Sequence, residues 1–146
     1  MPKFCGFDHV DARVPSLAVV EAFYDQLLPA LGLSRTKYSH VDERGDWHDV
    51  DADHPANTKE YYEIVEPGGL PSFVGIIEDR TMQPTRTRVA FRVGTRGELD
   101  EWEPRLREWS AKNVEWCADM DAYPAVFFED PAGTKLELCA RNSSKT

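Results

Sequence analysis

The stretch TRTRVAFRV, residues 85–93, carries basic side chains at alternate positions. Successive side chains of a β-strand point to opposite faces, so Arg86, Arg88 and Arg92 would share one face. A guanidinium presents a rigid fork of N–H donors that matches carboxylate and phosphate oxygens. The pattern therefore predicts a strand whose apolar face lines the core and whose arginine face is either solvated or binds an anion.

Two other segments place polar side chains on one face of a predicted strand. In FCGFDHVDARV, residues 4–14, this face carries His9, Asp11 and Arg13. In TKLELCAR, residues 134–141, Glu137 alternates with two leucines. An imidazole can act as a general base near neutral pH, and it can equally be a hydrogen-bonded residue of a polar sheet face. We predict that His9 is a catalytic candidate and that Asp11 contacts a ligand.

The elements that would position these side chains occur twice in the same order. After the first strand, apolar residues at helical spacing predict a helix that begins at Pro15 and Ser16 and stops near Gly32. The next predicted elements are strands at 34–41, 59–66 and 72–78, with a polar loop at 42–58. The first module therefore consists of a strand, a helix and three further strands.

The second copy begins with the arginine strand, at 86–94. Thr95 and Glu98 form a predicted capping box for a second helix, and Pro104 predicts a kink or break inside it. Its predicted buried stripe consists of Leu99, Trp102, Leu106 and Trp109. The remaining predicted elements are strands at 113–118, 124–129 and 134–141, a turn at 130–133, and a disordered tail at 142–146.

Composition restricts the classes of function. The chain has 146 residues and a net charge of −9, and 41% of its residues are hydrophobic. This length suits one domain, or two small modules that share a core. No apolar run approaches the ~20 residues that cross a bilayer, so we expect a cytoplasmic protein without a membrane partner. The acidic charge argues against nucleic acid, and the three scattered cysteines show no zinc or redox spacing.

The order of the elements resembles the vicinal oxygen chelate superfamily, which includes glyoxalase I, extradiol dioxygenases, and bleomycin and fosfomycin resistance proteins. FDHVDARVPSLAVVEAFYDQLLPALGL is similar to the first strand and helix of that family. RVAFRV and YPAVFFEDPAGTKLELCAR are similar to its second module. The resemblance implies an α+β fold of two βαβββ modules, which form a curved mixed sheet around a cleft with one helix packed on each module. We predict one domain at 1–146, with modules at about 4–80 and 85–141.

The resemblance also implies where a metal would be held. Metal-dependent relatives use four positions in the cleft, and His9 and Glu137 match two of them. Arg88 stands where a histidine is expected, and Gly75 stands at the remaining position. Because arginine stays protonated and does not bind cations, we predict no cofactor and no complete metal site. A Zn, Ni, Mn or Fe ion would have to use His9 and Glu137 with a replacement ligand such as Glu78.

If His9, Arg88 and Glu137 converge, the guanidinium can replace the charge of the metal. We therefore expect a hydrogen bond between Arg88 and Glu137, and we assign catalysis to His9 and Glu137. The predicted substrate-binding residues are Arg88, Asp11, Arg92 and Phe127. Further residues that could line the cavity, with core packing as the alternative for the aromatic ones, are Tyr61, Glu63, Phe73 and Tyr123.

Three functions are consistent with these patterns. The leading one is a protein of this superfamily that binds a small polar or anionic molecule in its cleft without the usual metal site. The second is a metal-dependent lyase, isomerase or dioxygenase that uses His9 and Glu137. The third is a non-catalytic binding or sequestering protein. In each case the resemblance implies a small-molecule ligand and a homodimer.

Overall fold

The computed structural model of the protein describes residues 1–141, and the tail for which disorder is predicted, at 142–146, lies outside the described residues. Within the described range there are two helices, α1 (Leu17–Ala30) and α2 (Arg96–Glu108). The nine strands of the same range are β1 (His9–Val14), β2 (Arg35–Val41), β3 (Trp47–His48), β4 (Thr58–Tyr62), β5 (Phe73–Glu78), β6 (Arg88–Arg92), β7 (Lys112–Trp116), β8 (Ala125–Glu129) and β9 (Lys135–Cys139).

The fold class is α+β, and the predicted repeat of a strand, a helix and three strands is confirmed. One element was not predicted. The short strand β3 forms inside the segment that was predicted to be a loop, at 42–58, and pairs antiparallel with β2. Neither helix of the described chain has the length and apolar content that crossing a bilayer requires.

The chain divides into two compact units. The first unit comprises Met1–Leu17 and Leu28–Met82. Its mixed sheet has the strand order β1-β5-β4-β2-β3, in which β1 and β5 are parallel and the other neighbours are antiparallel. The strand β1 begins at His9 rather than at residue 4, because its partner β5 begins at Phe73, which pairs with His9.

The second unit comprises Ala18–Leu27 and the chain from Gln83 onward. Its mixed sheet has the order β6-β9-β8-β7, in which β6 and β9 are parallel. One face of this sheet is apolar and carries Val89, Phe91, Val126, Phe128, Leu136 and Leu138. The opposite face carries the arginines of β6, as the alternation of the sequence predicts.

Helix α2 packs its buried stripe in the second unit. Leu99 and Leu106 are fully buried and Trp102 nearly so, whereas Trp109 is half-buried and caps the helix. The side chain of Thr95 accepts a hydrogen bond from the Glu98 amide, which confirms the predicted N-cap. The helix runs through Pro104 without the predicted break.

Helix α1 contributes its central residues to the second unit. The Tyr24 hydroxyl donates to Asp130 Oδ2 at 2.8 Å, and the rings of Phe23 and Phe128 lie 6.3 Å apart. Asp130 also accepts from the amides of Ala132 and Thr134, and so holds the predicted turn between β8 and β9. The sequence predicted one helix on each module. It did not predict that residues of α1 pack in the second unit.

Candidate functional site

The polar face of the first sheet carries a row of planar groups, one from each of four adjacent strands. His9 pairs with Phe73 across β1 and β5, Phe73 pairs with Tyr62, and Tyr62 pairs with Arg35. The ring centroids of His9 and Phe73 are 4.5 Å apart, and those of Phe73 and Tyr62 are 4.7 Å apart. The guanidinium carbon of Arg35 lies 4.3 Å from the Tyr62 centroid. We call these four residues the planar row.

A second row of the same face carries carboxylates around a glycine. Gly75 pairs with Asp11 on one side and with Glu60 on the other. A Cβ atom on Gly75 would lie 2.5 Å from Asp11 Oδ1, so the missing side chain leaves the space that the Asp11 carboxylate occupies. Glu60 is buried and accepts hydrogen bonds from Ser39 Oγ at 2.6 Å and from the Tyr62 hydroxyl at 2.5 Å. Burial and the bond to Glu60 raise the pKa of Tyr62 to about 12, so the phenol stays a donor at neutral pH.

His9 lies between two carboxylates. Its Nδ1 is 2.7 Å from Asp8 Oδ2, and its Nε2 is 3.7 Å from Asp11 Oδ2. Asp8 is therefore the group that can fix the tautomer of this imidazole, and Asp11 faces its second nitrogen. Within the first unit, His9 and Asp11 come together as the sequence predicts.

Of the other candidates on this sheet, Tyr61 shows the core packing that was the alternative to lining the cavity, and Glu63 and Glu78 each accept a hydrogen bond from a backbone amide. Tyr61 is fully buried on the opposite face, and Tyr62 takes the polar face in its place, because β4 reads TKEYY and lacks a clear alternation. Glu63 follows the strand and accepts from the Ser72 amide. Glu78 shares the face of Val74 and Ile76 and binds the Leu17 amide at 2.9 Å, so it is not available as a replacement ligand.

In the second unit, the guanidinium of Arg88 lies over the ring of Phe127, with its central carbon 4.5 Å from the ring centroid. The expected hydrogen bond between Arg88 and Glu137 is absent, and this prediction is wrong. The parallel register pairs Ala90 with Glu137 and pairs Arg88 with Lys135, so the two side chains leave different rows of the sheet. Among residues 1–141, Arg88 forms no ion pair with a carboxylate. Arg92 is exposed at the end of β6 on the same face.

The carboxylate of Glu137 is satisfied by a residue that precedes β8. The Tyr123 hydroxyl donates to Glu137 Oε1 at 2.6 Å. This bond, together with burial and the neighbouring Cys139, raises the pKa of Tyr123 above its ordinary value, so that the phenol remains protonated. Glu137 itself is 5% exposed. Tyr123 was predicted only as a residue whose ring could line the cavity. No pattern in the sequence identifies it as the partner of Glu137.

A pocket of about 240 Å³ opens beside Arg88 in the second unit, lined among others by Asn113, Glu115, Phe127, Glu129 and Lys135. Lys135 and Asn113 both donate to Glu129, and these bonds hold the pKa of the Glu129 carboxyl below its usual range. The positive charge of Lys135 is therefore already balanced inside the protein. Among the described residues that line the pocket, Arg88 is the remaining cation.

The segment from β2 to β4 brings three imidazoles together in the first unit. The rings of His48 and His54 are stacked at 4.1 Å, and the ring of His40 lies 5.3 Å from that of His54. His48 binds Asp42 and His54 binds Asp51. In the described chain, no group of three or more histidine, cysteine, aspartate or glutamate side chains is arranged to hold a metal ion.

Known structures share this fold. Fosfomycin resistance protein FosX from Listeria monocytogenes matches with a TM-score of 0.62 and 18% identity over 97% of this chain and 98% of that chain. A glyoxalase/bleomycin resistance protein from Albidiferax ferrireducens T118 matches with a TM-score of 0.61 and 18% identity over 93% and 98%. No family model and no curated protein sequence matches this chain. The fold is one that these fosfomycin resistance and glyoxalase/bleomycin resistance proteins share, as the resemblance implied.

A metal accompanies the fold in one of these relatives. A variant of FosX from Listeria monocytogenes was solved with Mn(II) and 1S,2S-dihydroxypropylphosphonic acid, and it matches this chain with a TM-score of 0.57 and 19% identity over 97% of each chain. The resemblance assigns four positions to metal ligands, and in this chain they are held by His9, Gly75, Arg88 and Glu137. Gly75 offers no donor, Arg88 is a permanent cation, and the carboxylate of Glu137 already accepts a hydrogen bond from Tyr123.

Proposed function

We propose that this protein binds a small polar or anionic molecule on the polar face of its second unit, with Arg88 as the main contact for the anionic group. The observation that supports this most directly is the state of the Arg88 guanidinium. It lies over Phe127 and has no carboxylate partner among the described residues. A guanidinium that stacks through its face keeps the N–H groups at its edge for a ligand.

The pocket beside Arg88 gives the class of ligand. Its volume of about 240 Å³ suits a small organic acid. Glu115, which also lines the pocket, has no hydrogen-bond or ion-pair partner among residues 1–141. A carboxylate in that position favours a ligand that carries a hydroxyl or amino group in addition to its acid group. Arg92 and Phe127, on the same face, complete the ligand contacts of this proposal in the second unit.

The proposal includes no resident metal and assigns proton transfer, where a reaction occurs, to His9 and Glu137. Asp11 is proposed as a ligand contact beside His9. A non-catalytic binding or sequestering protein would use the same anion contact. We also propose a homodimer in the cytoplasm without a nucleic-acid partner, on the basis of the superfamily resemblance and the net charge of −9.

A pair of matched ligands tests the anion contact. Benzoate and benzamide have the same ring and nearly the same size, but only benzoate is charged. In an NMR titration of the ¹⁵N-labelled protein, we expect benzoate to shift the amide signals of residues 88 and 127 in a saturable way, and we expect benzamide to leave them unchanged. Equal shifts with both compounds, or none with either, would contradict a charge-selective site at Arg88.

A further inference from the structure

The geometry of the planar row in the first unit determines which parts of its side chains a ligand can contact. Its ring spacings of 4.5 and 4.7 Å are close to the separation of neighbouring strands, about 4.8 Å, and the rings of the two pairs are inclined by 6° and 29°. Rings stacked across strands in this way stand upright on the sheet. They therefore present their edges, and not their faces, on the side away from the sheet.

The exposed edges of the row share one electrostatic property. The edge of an aromatic ring is the positive part of its quadrupole, and its face is the negative part. The edge of the Arg35 guanidinium consists of N–H donors, because only its face is used against Tyr62. The face of a flat, electron-rich molecule can therefore lie across these edges in the favourable edge-to-face arrangement.

The two ends of the row differ in charge. Arg35 is exposed at the β2 end and has no carboxylate partner among residues 1–141. At the β1 end, His9 is flanked by Asp8 and Asp11. The row is thus cationic at one end and rich in hydrogen-bond acceptors at the other. A ligand that matches it has an acid group at one end and a hydroxyl or amino donor at the other.

Ordinary packing does not account for the position of these side chains. The large aromatic residue that fills the core of the first sheet is Tyr61, which is fully buried on the opposite face. Phe73 and Tyr62 are only half-buried, and the His9 side chain is 42% exposed. Cross-strand contacts of this kind stabilise a sheet by a modest amount wherever they occur. They do not require a cation at one end and carboxylates at the other.

From these observations we propose that the planar row binds a flat aromatic acid, with the acid group on Arg35 and the flat part of the ligand across the edges of Tyr62, Phe73 and His9. This inference goes beyond the proposed anion contact at Arg88, because it places an acid group on Arg35 in the first unit; it shares only His9 and Asp11 with the proposed function. It adds a class of ligand, the aromatic hydroxy or amino acids, that the fold alone does not specify.

The test compares 2-naphthoate with its saturated analogue, decahydro-2-naphthoate, which has the same charge but no π face. In NMR titrations of the full chain, we expect 2-naphthoate to shift the amide signals of residues 62 and 73. We expect it to bind about threefold to tenfold more tightly than the saturated acid at this surface. We also expect 6-hydroxy-2-naphthoate to bind more tightly than 2-naphthoate, because its hydroxyl reaches the carboxylates beside His9.

Two substitutions separate the contributions of the row. Phe73→Leu keeps an apolar side chain but removes the central ring of the row, and it should reduce the preference for the aromatic acid. Arg35→Gln, at an exposed position, should weaken the binding of both acids about tenfold. Lys37→Gln is the matched control, because Lys37 lies on the same strand and face and its ammonium is paired with Asp49 at 3.5 Å. It should leave both affinities unchanged.

Several results would overturn the inference. Equal affinity for the flat and the saturated acid would show that the row does not distinguish an aromatic ligand from a saturated one. Unchanged binding in Arg35→Gln, or shifts confined to the second unit, would leave the row as a purely structural feature. The proposed function fails separately, through benzoate and the signals around Arg88, so the two proposals can be told apart in the same samples.

Discussion

Replacing Arg88 by glutamine should lower the affinity of the second unit for benzoate by about tenfold or more. Glutamine keeps a polar side chain, but it is shorter than arginine and lacks the charge and the forked donors. In the structure this charge is balanced by neither Glu137 nor Glu129, because Tyr123 binds the first and Lys135 the second. A carboxylate ligand would therefore be the first anion to neutralise it. An NMR titration that follows the amide signal of Phe127 in the two proteins gives the ratio for this site.

The control for this substitution is Arg86→Gln. Arg86 is exposed, precedes β6 by two residues and does not line the pocket beside Arg88. The same chemical change at that position should alter benzoate affinity less than about twofold, since Arg86 contributes no group to the pocket and its exposed charge is partly screened by salt. If Arg86→Gln and Arg88→Gln weakened binding equally, the effect would come from net charge and not from a site.

Replacing Asp130 by alanine should lower the free energy of unfolding by about 3 kcal/mol. The Asp130 side chain is fully buried and accepts from the Tyr24 hydroxyl and from two turn amides. Alanine removes all of these acceptors at once, and the Tyr24 hydroxyl, in a side chain that is 1% exposed, would be left without this partner. Such a loss corresponds to a fall in Tm of about 10 °C for a chain of this length.

Two further variants show which interaction of Asp130 accounts for the lower free energy of unfolding. Tyr24→Phe removes the hydrogen bond to Asp130 and should cost about 1 kcal/mol, which thermal or urea unfolding can resolve. Asp121→Ala removes an exposed carboxylate whose side chain is 88% accessible and which pairs with Arg96, so its effect should stay within about 0.5 kcal/mol. An Asp130→Ala protein as stable as Asp121→Ala would contradict the role assigned to the turn and to α1.

The sequence predicts those features of the fold that depend on local patterns. The alternation of residues 88–92 and 135–139 correctly separates the apolar faces from the faces that carry Arg88 and Glu137. The capping residue Thr95 marks the start of α2, because its side-chain chemistry acts within one helical turn. The turn after β8 follows from the types of its four residues, since proline and glycine restrict the backbone locally.

The parts of the site that were missed depend on register between distant strands. The planar row joins Arg35, Tyr62 and Phe73, which lie far apart in the sequence, and a shift of one residue in any strand would move a side chain to the other face. For this reason Tyr62 was not among the predicted site residues, whereas Tyr61 packs in the core, as the alternative for the aromatic residues had it. The prediction that Arg88 binds Glu137 is wrong for the same reason. The strand pairing, and not the spacing of residues, places Ala90 beside Glu137 and leaves the carboxylate to Tyr123.

The central claim is that Arg88 provides an anion contact where metal-dependent relatives would be expected to hold a metal. The most direct measurement is the metal content of the protein purified without an affinity tag, compared with a His9→Ala/Glu137→Gln double variant. We predict that Mn, Fe, Ni and Zn are all well below one equivalent in both proteins. One equivalent of any of these metals in the unmodified protein that disappears in the double variant would contradict the claim and establish a metal site that uses His9 and Glu137.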